Sequence, residues 1–318
     1  MPWPDELAVY PPLLLITLLL ARLLPLPAAY HPLTAFRYFA RSLGKKVNPD
    51  PGRARAQQYI SGSLALLVAW LPAMALLYSL YRFSELPLVL DALLLFCSLD
   101  WQSRRYQAQQ VSQSLQQNQL TLAREQAQPL LLRNCSNLTA MGLSKAVIEN
   151  LLLQSAKQLI GTGCFFLLGG GLAAIGYRLV VQLQQEWNPK QAGYQLFGRP
   201  TAVIAKLLST LPMLLSSAFI AMQHGVLRFY RNSKTTRYRF NPAAFYLLCA
   251  GSAALHCDLG GPVYYHNTKY SRSRIAGQRP PGAADINSCL RLLGFLHFYL
   301  LLLVSSLTLL QLAWWLAN

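Results

Sequence analysis

Eleven residues, HCDLGGPVYYH at positions 256–266, gather two histidines, a cysteine, an aspartate and two tyrosines around Gly260-Gly261-Pro262. His256, Cys257, Asp258 and His266 all carry zinc-compatible atoms. Their spacing matches no standard zinc site, because adjacent residues on a short apolar segment point different ways and no second cysteine pair follows. No metal is assigned. Gly-Gly-Pro reads instead as a stop to the apolar run 243–255, with freedom in φ at the glycines and a fixed φ at the proline. The stretch that follows, YYHNTKYSRSRIAGQRPPGAADI, is basic and aromatic. Two readings stand: a solvated basic loop at a membrane face, or an anion site whose arginine forks hold carboxylate or phosphate.

Other chemistry is sparse. The chain has eleven Asp and Glu residues, and Asp5, Glu6, Asp50 and Glu85 sit where turns and helix ends are expected. GTGCFFLLGGG lacks the lysine with which a P-loop reaches phosphates, so Gly169, Gly170 and Gly171 are read as sites of close helix packing. Glu149, in SKAVIENLLLQ, follows Lys145 by one helical turn. That spacing gives an i,i+4 ion pair at a membrane interface or, alternatively, a catalytic or metal-binding carboxylate.

The elements that must position these groups are mostly apolar. Of 318 residues, 53% are hydrophobic and 12% charged, against about 25% charged in soluble domains. The class is an all-α, polytopic helical membrane protein of one domain, 1–318. About six spanning helices are expected at 7–27, 62–82, 86–101, 159–181, 202–227 and 292–317, with an interfacial or re-entrant segment at 243–255. Residues 101–128 are expected to form a solvated cytoplasmic helix, rich in glutamine with a partial apolar stripe. The N-terminal apolar run follows acidic residues and contains Arg22, which argues against a cleaved signal peptide. The six cysteines show no CxxC spacing and read as small buried hydrophobes.

The net charge is +17, yet the cations form no single stripe, and no nucleic acid is expected. Six crossings with the N-terminus outside place 28–61, 100–158 and 228–291 on one side. These segments hold Arg37, Arg41, Arg133 and most other cations, against Lys190 and Arg199 opposite. The positive-inside rule makes that side cytoplasmic, with membrane lipid as a partner.

From His31 to about Leu293 the chain resembles the CobD/CbiB family of cobalamin-biosynthesis membrane proteins. HPLTAFRYFARSL, RNCSNLTAMGLSKAVIENL, LLGGGLAAIGYRLV, YQLFGRPTAVIAKLLSTLP, LGGPVYY and RIAGQRPPGAADINSCLRLL occur in the family's order. The resemblance implies ATP-dependent joining of aminopropanol, or its phosphate, to the propionate of adenosylcobyric acid. It implies no covalently bound cofactor, a role for ATP and Mg²⁺, and as partners a corrinoid substrate and other cobalamin-pathway proteins. Carried over by position, it makes Glu149 and Asp285 the catalytic candidates and His31, Arg133, Tyr177, Arg178, Gly260, Gly261, Tyr265 and Arg279 the substrate-binding ones.

Several of the family's other acidic and amide positions are replaced, by Asn134, Leu153, Gln154, Lys157, Gln184, Ala205 and Lys206 among others. Two functions therefore follow from the resemblance: a cobinamide-forming ligase, or a non-catalytic relative that binds a corrinoid or partner in a regulatory role. A transporter is a third class, since Arg22, Arg82, Arg178 and Lys206 lie in or beside apolar segments, but snorkelling at segment ends accounts for most of them.

Overall fold

Helix punctuation sets the architecture. In a computed structural model, residues 3–24, 31–50, 52–235, 241–265 and 268–317 are described. They form helices α1 (Trp3–Leu23), α2 (Pro32–Val47), α3 (Arg55–Arg82), α4 (Pro87–Ser98), α5 (Trp101–Gln116), α6 (Leu120–Ala127) and α7 (Ala140–Ser155). A π-turn at Ala156–Ile160 leads into α8 (Gly161–Glu186), followed by α9 (Arg199–His224), α10 (Val226–Thr235), α11 (Pro242–Leu255) and α12 (Ala283–Ala317). Two short antiparallel pairs lie before α12: β1 (Leu259–Gly260) with β4 (Arg274–Ile275), and β2 (Val263–Tyr265) with β3 (Thr268–Tyr270). Proline opens α2, α4 and α11, where its missing N–H costs no helical bond.

Among the described residues, four helical stretches are long and apolar enough to cross a membrane: Arg55–Arg82, Ala140–Glu186, Arg199–His224 and Ala283–Leu310. Among the expected spans, 86–101 contracts to the twelve residues of α4. At 1.5 Å per residue α4 rises about 18 Å, less than a bilayer core. The segment 243–255, expected to be interfacial or re-entrant, is the helix α11, and most of its side chains are buried in protein. The expected helix 101–128 breaks into α5 and α6 around Asn118, which has φ +59°. Of its apolar stripe, Val111 and Leu115 are buried and Leu122 is exposed.

The chain divides into two compact units. One comprises Met1–Asp100, Gln158–Leu208 and Phe298–Asn318; the other comprises Trp101–Lys157 and Ser209–His297. In the first, the expected span 159–181 is not one straight helix. Gly169 and Gly170 leave helical geometry, the latter at φ +65° and ψ −160°, where glycine carries no steric cost. A straight helix would separate Phe165 from Tyr177 by about 18 Å along its axis. Instead their rings stack with centroids 4.5 Å apart and planes at 12°. The chain reverses at the glycine corner, so Gly171 begins a second limb.

That limb is clamped to α4 at two points. Asp91, 2% exposed, accepts the Gly171 N–H at 2.7 Å, placing a carboxylate at the positive end of the new helix. Two turns further along each helix, fully buried Arg178 donates its Nε–H to the Ser98 carbonyl at 2.9 Å, at the negative end of α4.

The reversal changes the expected topology. Glu186, at the end of α8, pairs with Arg41 at 2.6 Å and Arg37 at 3.4 Å. Trp187 Nε1 donates to the Ala40 carbonyl at 2.9 Å, and Asn48 to Gly193 at 2.7 Å. Ala40, Ala65, Leu66, Ala69, Leu183, Trp187 and Phe197 form the core beneath. Residues 37–48 and 186–193, expected on opposite membrane faces, therefore share one end of this unit.

The second unit is built on α7 and α11. Thr139 caps α7 by accepting the Gly142 N–H at 3.1 Å. Leu143, Val147, Leu151 and Leu152 from α7 and Phe245, Leu247 and Leu248 from α11 are buried, and Gly251 admits Leu152 so closely that a Cβ there would lie 2.4 Å from Leu152 Cδ1.

Candidate functional site

The opening motif folds as a loop latched by salt bridges. α11 ends at His256, whose left-handed φ of +55° turns the chain. Its three neighbouring side chains then diverge. His256 accepts from Arg228 Nη1 at 2.9 Å, Cys257 is fully buried, and Asp258 turns to Arg274 and the Gly277 N–H at 2.5 and 2.6 Å. Burial pushes the Cys257 thiol up to about 12, and the nearby Asp285 charge adds to this. Burial also acts to raise the Asp258 carboxyl, but the hydrogen bonds and charge of Arg274, the Gly277 N–H and the Lys145 charge hold it below its ordinary value. His266 lies outside the described residues. Among the described residues no cluster of three His, Cys, Asp or Glu side chains is placed to hold a metal ion.

Glu149 rises from α7 into this loop and is 5% exposed. Its Oε1 accepts the Gly260 N–H at 2.8 Å and its Oε2 accepts Arg272 Nη2 at 2.8 Å. Arg272 also donates Nε–H to the Gly261 carbonyl at 3.2 Å. The direct ion pair of Glu149 is therefore with Arg272, while Lys145, one turn back, feels the Glu149 charge without a direct pair. Gly260 has φ +70°, and a Cβ there would lie 2.4 Å from the Ser273 carbonyl oxygen, so the latch requires glycine.

A second latch joins the loop to α12. Arg279 donates from both terminal nitrogens to Asp285, at 2.6 and 2.8 Å, and the Gly282 N–H adds a third bond at 2.8 Å. Asp285 is buried while the Arg279 side chain is 56% exposed. The hydrogen bonds and charge of Asp285 raise the Arg279 pKa. The backbones of Cys257 and Arg279 form a bridge, with the Asp258 N–H on the Arg279 carbonyl at 2.9 Å.

Glu149, Gly260, Gly261, Arg279 and Asp285 thus belong to one latched loop of the second unit. Tyr265 ends β2, its backbone opposite Thr268. Arg133 is half-buried in the loop before α7, its carbonyl accepting from Gln128 at 3.4 Å. The remaining expected residues lie in the first unit. His31 caps α2, its Nδ1 accepting the Leu33 N–H and its Nε2 donating to the Leu99 carbonyl, both at 3.3 Å. Arg178 holds the neighbouring Ser98 carbonyl, and Tyr177 stacks on Phe165. In this structure these three make capping and packing contacts.

Sequence reasoning overlooked Lys145, Arg272 and Arg274 as a set. Three carboxylates, Glu149, Asp258 and Asp285, each carry an arginine, which leaves Lys145 as the surplus cation. Its Nζ lies 3.6 Å from where a Gly261 Cβ would stand. The legible signal was the run of arginines at 272, 274 and 279, facing an acid on α7 that no sequence spacing connects to them. Carboxylates already held by guanidinium groups do not fit a magnesium ion, which is bound through carboxylates free to ligate together with substrate phosphates. A cation beside a tight glycine turn fits an anion.

Fold and site together define an all-α protein with apolar helices of membrane-spanning length and a glycine loop latched by acid–arginine pairs. The CobD/Cbib protein family profile matches residues 14–293; the chain belongs to the CobD/CbiB family. It is 28% identical over 282 residues to the cobalamin biosynthesis protein CobD of Chromobacterium violaceum, covering 87% of this chain and 90% of that one. It is also 28% identical to the CobD of Stutzerimonas stutzeri, over 86% and 90% of the two chains. The cobalamin biosynthesis protein CbiB of Salmonella typhimurium is 26% identical over 63% of this chain and 65% of its own. No solved structure matches.

Proposed function

We propose that this chain acts in cobalamin biosynthesis as a multi-pass protein of the bacterial cytoplasmic membrane, its basic loops on the cytoplasmic side, at the step that joins aminopropanol or its phosphate to a corrinoid propionate. One observation carries the reading. The helix with Glu149 and the LGGP loop, distant in sequence and both parts of the family resemblance, meet through the Glu149 bonds to Gly260 and Arg272. The relatives' names supply the pathway.

In this reading Lys145 holds the anionic group of a substrate, a propionate carboxylate or an aminopropanol phosphate, against the turn at Gly261. Glu149 and Asp285 position the loop, and Arg272 and Arg279 are held by them. A partly buried ammonium beside fixed backbone dipoles binds an anion more strongly than one in open water.

The test is product formation in membranes of a host lacking its own cobinamide synthase, given adenosylcobyric acid, ATP, Mg²⁺ and aminopropanol or its phosphate. The amide is expected by mass spectrometry, with Lys145→Gln reducing it while the protein is recovered at normal yield. Normally inserted protein without product above background, in vitro and in cobinamide-dependent growth, overturns the reading.

A further inference from the structure

α9 ends at Gly225, whose φ of +112° turns the chain into α10, VLRFYRNSKT. At 100° per residue, Val226, Leu227, Phe229 and Tyr230 share one arc of this helix, while Arg228, Arg231 and Asn232 share the other. Phe229 packs on Tyr246 of α11 with ring centroids 6.2 Å apart. The rest of the apolar arc is uncovered: Leu227 is 84% exposed, and Val226, Tyr230 and the preceding Met222 are more than half exposed.

We propose that α10 lies in the headgroup plane of the bilayer and takes anionic phospholipid. Three features select lipid rather than a protein partner. Arg228, Arg231 and Lys234 give ten residues three cations and no acid, the composition of helices that dock on anionic membranes. Lys234 lies over the exposed Tyr230 ring at 4.4 Å from its centroid, from where a long lysine stem can carry its charge to lipid phosphate. α10 also directly continues α9, which is apolar enough to cross a membrane, so the bilayer surface is already at its first turn. Arg228 joins this helix to His256 at the start of the latched loop, which ties lipid docking to the loop's position.

The test uses the full chain in nanodiscs, with a bimane fluorophore on Leu227→Cys or Asn232→Cys and the unsubstituted protein as labelling blank. Brominated phosphatidylcholine is expected to quench the label at 227 and spare the one at 232. Replacing a third of the lipid with phosphatidylglycerol is expected to deepen quenching at 227. In Arg231→Gln/Lys234→Gln the docked-to-undocked ratio is expected to fall about thirtyfold, at roughly a fivefold effect per cation. Equal quenching at the two positions, or a label at 227 that cross-links to a second copy of the chain, overturns the proposal. Quenching indifferent to phosphatidylglycerol overturns the selectivity for anionic lipid.

Discussion

Replacing Glu149 with glutamine separates positioning from catalysis. The substitution keeps the shape and one acceptor oxygen, which can serve the Gly260 N–H or Arg272 but not both. Whichever it serves, an amide N–H₂ faces the other donor. The Arg272 side chain is 13% exposed, so its charge loses its counter-ion in a poorly solvated place. Breaking a buried ion pair from one side costs about 3–5 kcal/mol. Arg272 keeps its bond to the Gly261 carbonyl, so the expected loss is smaller, about 2–4 kcal/mol. Removing both partners, in Glu149→Leu/Arg272→Met, deletes the stranded charge and is expected to return most of that stability, giving a coupling energy of about 2 kcal/mol. The assay is reversible unfolding in mixed micelles of the wild type, Glu149→Gln, Glu149→Leu, Arg272→Met and the double variant, run beside product formation. A coupling energy within about 0.5 kcal/mol of zero refutes the latch. Full activity in the double variant would show that Glu149 contributes neither position nor chemistry.

Asp91→Asn keeps an oxygen for the Gly171 N–H and is expected to cost little, whereas Asp91→Leu strands that buried donor and is expected to cost about 1–3 kcal/mol, read as a drop in unfolding midpoint. Gly170→Ala combines a φ of +65° with a Cβ 2.9 Å from the Tyr10 hydroxyl. It is expected to lower the yield of folded, monodisperse protein, and an unchanged yield would refute the glycine corner. Asp258 has a depressed pKa in the folded protein. Its contribution is therefore present above the ordinary carboxylate range and is lost as pH falls through the folded value. Stability measured against pH is expected to lose part of its acid limb in Arg274→Gln, by a small amount because the Arg274 side chain is 71% exposed.

Apolar length made the membrane class and most helices legible. Runs such as 202–227 read correctly to within a few residues because hydropathy and helix punctuation act locally. Gly260-Gly261-Pro262 was legible as a turn for the same reason. The family, too, was readable from the order of its motifs. What resisted was anything decided by a partner far along the chain. Glu149 looked like a partner for Lys145, four residues back, yet its charge meets Arg272, 123 residues on. The three arginines at 272, 274 and 279 looked free to bind anions, yet each has an acid of its own.

The glycines at 169–171 show the division most plainly. Their sequence permits either close packing within a straight span or a reversal, because glycine admits both backbone conformations. Asp91 caps the new helix at Gly171, Tyr177 stacks back on Phe165, and Glu186 reaches Arg37 and Arg41. These contacts select the reversal and bring two loops expected on opposite faces to one end. Composition and local backbone preference determined the class, the helices and the turns. Pairing of buried charges, which depends on distances the chain acquires only when folded, decided the corner and the latches.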